Sequence, residues 1–287
     1  MEKVTSDNRV AGRNKGRFPE GFTLIELLVV IAIIALLLAI LMPALQMVKK
    51  QTQGIVCRSN LRQYGVATRM YLDANQGMFP NAFTWLFKDG AWGCEWHNAG
   101  KTLAEHPELA GSLWPYLKDK DVHLCPLFNI IARQTGCTIC RGREFPVEPQ
   151  YGYSMNGLLG TASMMVPQQY QAALENARKE TNVKNQANVF VFSEENTWTI
   201  KDLSSDVFND NNLIPAPGAR DDCFATFHDA PSGDLDSGFA NAVFVDGHVD
   251  RVSAYPVGNT FKMSWPGGSP IPEWYCPKSY PYKISRH

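Results

Sequence analysis

The sequence predicts an α+β fold in which a long N-terminal helix packs on an antiparallel β-sheet. Three observations carry this reading. The run Phe22–Leu45 is almost unbrokenly apolar. Beyond it a helical period continues, with Cys57, Leu61, Tyr64, Thr68 and Tyr71 recurring at steps of four and three. Near the other end, "NAVFVDGHVDRV" sets two alternating apolar runs around Asp246-Gly247, a two-residue hairpin signal.

Residues 1–21 form a polar leader with five basic residues (Lys3, Arg9, Arg13, Lys15, Arg17) and three acidic ones, too poor in apolar side chains to build a core. The 24 residues Phe22–Leu45 follow. As a helix they reach roughly 36 Å, enough to cross a bilayer core of about 30 Å. The run exceeds the apolar region of a cleaved secretory signal and lacks the polar face of a buried soluble helix. It therefore reads as a membrane span. Lys49, Lys50, Arg58 and Arg62 after the span nearly balance the basic leader, so charge alone barely orients it. Within the run stand Glu26, a carboxylate that hydrocarbon would penalise, and Pro43, which removes a backbone donor.

The ordered combination "KGRFPEGFTLIELLVVIAIIALLLAILMPAL" resembles the N-terminal segment of type IV prepilins and type II secretion pseudopilins. It contains a basic leader, Gly21 before Phe22, "TLIELL" with Glu26, the aliphatic run and Pro43. The resemblance implies a pilin-like fold and cleavage between Gly21 and Phe22 by a membrane-bound prepilin peptidase, followed by N-methylation of Phe22. It implies an inner-membrane protein with its leader in the cytoplasm and its C-terminal part outside. Its partners would be other pilin or pseudopilin subunits, and Glu26 would pair with the terminal amine of a neighbour. A carboxylate in hydrocarbon usually has a partner, and the alternative from the residues alone is an interfacial glutamate whose head reaches water. The resulting organisation is a cleaved leader 1–21, a transmembrane helix 22–45, an amphipathic continuation 46–75 and an extracytoplasmic α+β domain 76–287.

The amphipathic helix should end near Ala74, where "NQGMFPN" punctuates the chain. "ELAGSLWPYL" suggests a short helix, "YGYSMNGLLG" a strand or loop, "PQQYQAALENARKETNV" a helix, and "NVFVFSEEN" a strand. Glu194 and Glu195 close that strand, as solvated strand-end charges or as ligands. At Asp246-Gly247, a two-residue turn with both residues at positive φ would place Val245 opposite His248 and Phe244 opposite Val249. Phe244 and Val249 would then face the long helix. This region also resembles the H-X9-DG motif of large prepilin-like proteins, although His228 precedes Asp246 by 17 intervening residues rather than nine.

The candidate metal and thiol sites are few. Asp234, Asp236 and Asp246 form an oxygen-rich set that could hold calcium, which major pseudopilins bind in a C-terminal loop, or could simply be solvated. Cys125, Cys137 and Cys140 have the spacing C-x11-C-x2-C, open to a disulfide, a zinc site with Cys94 or His123, or thiols. Cys57, on the helical stripe, reads as a small core residue. No motif sets a nucleophile beside a base, so no enzyme is expected. The charge balance, 27 Lys+Arg against 28 Asp+Glu, argues against nucleic acid as a partner. The reading is thus a filament subunit of a type IV pilus-like or type II secretion pseudopilus assembly. The alternative is a membrane-anchored extracytoplasmic ligand-binding protein.

Overall fold

The computed structural model describes residues 22–89, 95–97, 103, 105–137, 147–160, 177–196, 211–213, 224–231 and 234–252. Within it the chain divides into two compact units, Met1–Val48 and Lys49–His287.

Helix α1 runs Leu24–Ala74 and ends where the sequence punctuates. Gln76 and Gly77 then take positive φ, and Gly77 N–H closes the helix on the Leu72 carbonyl at 2.8 Å. Its first part is a helix long and apolar enough to cross a membrane, and none of its most apolar stretch is buried within the chain. Pro43 lies inside the helix without interrupting it.

The second part of α1 carries a buried stripe: Cys57, Asn60, Leu61, Tyr64, Ala67, Thr68 and Leu72. The predicted period holds there, with Leu72 taking the last buried position in place of the half-buried Tyr71. Tyr64 anchors the packing, its ring 4.8 Å from Phe192, 5.2 Å from Tyr153 and 5.8 Å from Trp85. Full burial of a ring such as Phe192 contributes about 1.5–3 kcal/mol. Gly65 lets the helix approach the sheet, since a Cβ there would fall 2.9 Å from Val243 Cγ2.

The sheet has five strands: β1 (Tyr153–Asn156), β2 (Phe190–Glu194), β3 (Asn212–Leu213), β4 (Ala240–Phe244) and β5 (Val249–Val252), in the order β3-β1-β2-β4-β5. It is mixed: β1 pairs parallel with β3, and the other pairs are antiparallel. The α+β layout is as expected. A second helix, α2 (Pro126–Thr135), was not expected; Cys125 precedes its first residue and Gly136 ends it at positive φ. "ELAGSLWPYL" forms two single 3-10 turns, Pro107–Leu109 and Trp114–Tyr116, instead of one helix, each with a proline in its first turn. The helix expected over 167–183 falls mainly outside the described residues; its end is the 3-10 turn Glu180–Asn182.

The hairpin register is corrected by one residue. Val243 faces Val249, and Asn241 faces Arg251. The cause is the turn: among the described residues Gly247 is at positive φ and Asp246 is not. Gly247 N–H bonds the Phe244 carbonyl at 2.9 Å, and Phe244 N–H bonds the His248 carbonyl at 2.9 Å. This is a three-residue loop with its glycine at the left-handed position. Val243 therefore takes the helix-facing place expected of Phe244, whose ring instead stacks on His248 at 4.4 Å.

Candidate functional site

Among the described residues, two places combine chemistry with position: the start of α1, and a buried cluster where four segments meet.

At the helix start, Thr23 and Glu26 form a reciprocal capping box. Thr23 N–H and Oγ1–H donate to Glu26 Oε2 at 2.9 and 2.8 Å, and Glu26 N–H donates to Thr23 Oγ1 at 3.2 Å. The T-x-x-E spacing in "TLIE" is the sequence signal for this cap. Glu26 thus has a local role, holding its own helix end, and its carboxylate accepts from the backbone N–H of Thr23, the residue after Phe22. Phe22 is exposed; Gly21 and the leader lie outside the described residues.

The buried cluster contains Cys57 from α1, Cys125 before α2, Glu194 from the end of β2 and His228 from a bridged segment beside β4. One donor atom from each lies within 4.8 Å of every other. Cys57 and Cys125 are joined by a disulfide that closes a sequence separation of 68 residues. Cys125 therefore pairs with Cys57, not with Cys137 or Cys140. Cys137 is buried elsewhere in the core, and Cys140 lies outside the described residues. His228 Nε2–H donates to Glu194 Oε1 at 2.7 Å and sits 3.5 Å from Cys125 Sγ. Asn241 fixes the second carboxylate oxygen, donating from its backbone N–H at 2.7 Å and from Nδ2 at 3.1 Å.

Local structure explains the convergence. β2 is buried along its whole length, so both carboxylates at its end are carried inside. Glu194 and Glu195 are each 0 % exposed, which corrects the expectation of solvated charges. Their side chains find separate partners, Glu195 accepting from Ser154 Oγ at 2.6 Å. His228 is placed by paired hydrogen bonds with Phe239, at 3.0 Å and 2.8 Å, which pinch off the intervening loop. Gly238 makes that closure fit: a Cβ there would fall 2.3 Å from both the His228 and Thr226 carbonyl oxygens. A polar pocket of about 250 Å³, lined by Lys50, Arg58, His228, Asp229 and Arg251 among others, adjoins the cluster.

The predicted aspartates do not converge. Asp234 Oδ1 accepts from Asp236 N–H at 3.2 Å, whereas Asp246 Oδ1 accepts from the His248 backbone N–H at 3.2 Å and from its Nδ1–H at 2.6 Å. Among the described residues, no close group of three donors includes any of these aspartates. His123, considered as a zinc ligand, is occupied: Tyr64 O–H donates to Nδ1 at 2.6 Å and Nε2–H donates to the Leu117 carbonyl at 2.7 Å. Desolvation lowers its pKa from 6.5 to about 4, against the opposing backbone bond to Leu117, so the ring is neutral. Tyr64, raised well above its ordinary value by burial, stays protonated as the donor.

Residues 19–42 match the prokaryotic N-terminal methylation motif. The motif and the apolar helix α1, which begins within it at Leu24, are consistent with a prepilin-like protein. Neither a curated protein nor a solved structure matches the chain.

Proposed function

We propose that this protein is a structural, non-catalytic subunit of a type IV pilus-like or type II secretion pseudopilus filament. The observation that carries the proposal is the methylation motif at 19–42 on the exposed apolar start of a single helix, whose later residues Cys57, Leu61 and Tyr64 form part of a globular core. An apolar surface of that length is covered by lipid before assembly and by neighbouring helices afterwards. In this reading a prepilin peptidase cuts between Gly21 and Phe22, the new amine is methylated, and Glu26 meets the amine of a neighbouring subunit in the inner membrane.

Because Glu26 also caps its helix, alanine would remove two functions at once. Glu26→Gln keeps a capping side chain at the third helical position and removes only the charge. The variant should still insert into membranes and be processed, but fail to enter sheared filaments. Normal incorporation would overturn the assembly role of Glu26.

One observation favours the second reading, a membrane-anchored ligand-binding protein. A pocket of about 560 Å³, lined by Trp114, His123, Tyr151, Pro126 and Gln150 among others, has the size and aromatic lining of a small-molecule site. Under that reading Glu26→Gln leaves both fractionation and ligand binding unchanged.

A further inference from the structure

We propose that Cys57, Cys125, His228 and Glu194 form a redox-gated zinc site: the disulfide is its oxidised state, and the dithiol state binds one Zn²⁺ through two thiolates, one imidazole and one carboxylate.

The donor set is of the type zinc prefers, sulfur and nitrogen with one oxygen, and four protein ligands make a closed structural site. The positions suit a tetrahedron. With Zn–S near 2.3 Å and Zn–N or Zn–O near 2.0 Å, neighbouring donors stand roughly 3.3–3.8 Å apart. His228 Nε2 and Cys125 Sγ are already 3.5 Å apart, and all four donors lie within 4.8 Å of one another. His228 Nε2 and Glu194 Oε1, at 2.7 Å, need only part by a fraction of an ångström to admit the ion. The two sulfurs separate when their bond is broken.

The surroundings are those of a prepared site. Two donors from Asn241 hold Glu194 Oε2, which aims Oε1 at the cluster. Cys57, Cys125 and Glu194 are each 0 % exposed and His228 is 5 % exposed, so the ligands are fixed by packing. Two thiolates, a carboxylate and a neutral imidazole around Zn²⁺ leave one net negative charge. Among the described residues, the adjoining polar pocket is lined by Lys50, Arg58 and Arg251 and by Asp229, which pairs with Arg251 at 2.6 Å, so the basic side chains beside His228 outnumber the acidic one.

The chemistry balances with an external dithiol as reductant. Thiol–disulfide exchange breaks the Cys57–Cys125 bond and forms a disulfide in the reductant, transferring two electrons and two protons to the protein. Zinc then displaces both thiol protons and the Nε2 proton leaves His228 or moves to Nδ1, so the imidazole binds neutral. A disulfide oxidant reverses the sequence: exchange passes two electrons from the sulfur pair to that disulfide, which becomes a dithiol on taking up two protons, the Cys57–Cys125 bond re-forms and the ion is released.

The test uses the full chain in detergent, reduced anaerobically with a dithiol, freed of reductant and titrated with Zn²⁺ or Co²⁺. Other cysteines could bind metal, so peptide mass mapping follows Cys57 and Cys125 specifically. The expected result is one equivalent bound, tetrahedral cobalt bands with thiolate charge transfer, and resistance of that sulfur pair to re-oxidation. Affinity should fall by about 10–100-fold in Asn241→Ala, whose side chain orients Glu194 without binding the ion, and further in His228→Ala. Glu194→Gln, which keeps the packing, covers the case in which His228→Ala does not fold. Metal binding unchanged in Glu194→Gln and His228→Ala, or no binding by a reduced chain whose circular dichroism is native, would overturn the site.

Discussion

Glu194 and His228 meet 2.7 Å apart in the interior, beside a disulfide that ties α1 to the start of α2. Four segments remote in sequence are thereby held at one point. Within the unit Lys49–His287, the disulfide ties the Cys57 stretch of α1 to the residue that precedes α2.

Breaking this pair should be costly. Glu194→Ala leaves His228 buried without its carboxylate, a loss of up to roughly 3–5 kcal/mol where the survivor is charged, whereas His228→Ala leaves Glu194 its Asn241 donors and should cost less. Denaturant unfolding of both single variants and the double variant measures the coupling, and the double should lose less than the sum of the singles. Strict additivity would show that the contact contributes nothing.

His123 should give stability a pH dependence. Its folded pKa, about 4, lies below the ordinary 6.5, so the unfolded chain binds a proton that the folded chain refuses between these values. The contribution is complete above pH 6.5 and falls as the pH drops toward 4, by roughly 3 kcal/mol at most. Urea midpoints across that window, compared with His123→Gln, should show a steeper decline in the unsubstituted protein.

Gly238→Ala should destabilise although it adds a single methyl group. That Cβ would lie 2.3 Å from two backbone oxygens, so the segment bearing His228 must move away from its bridge. A cost of about 1–3 kcal/mol or more is expected. Thermal unfolding checks it, and an unchanged midpoint would mean the segment gives way freely.

Sequence reading succeeded where period and punctuation act locally. The stripe of Cys57, Leu61 and Tyr64 placed the helix face, and "NQGMFP" placed its end near Ala74. The strand at Phe190 and the Asp246-Gly247 hairpin were legible for the same reason. The hairpin register was not, because three-residue and two-residue loops share the Asp-Gly signature and only the φ of Asp246 separates them. The buried cluster was illegible as a unit, since its members stand at positions 57, 125, 194 and 228 and no spacing links them. One signal was present: "FVFSEEN" is apolar up to two adjacent carboxylates, and a fully buried strand carries its end groups inward with it.

The filament reading depends on processing, and the intact mass of the mature chain isolated from membranes tests it directly. The account predicts a chain that has lost residues 1–21, begins at Phe22 and carries one added methyl group on its amine. A chain that retains the leader, or that begins at any residue other than methylated Phe22, would contradict it.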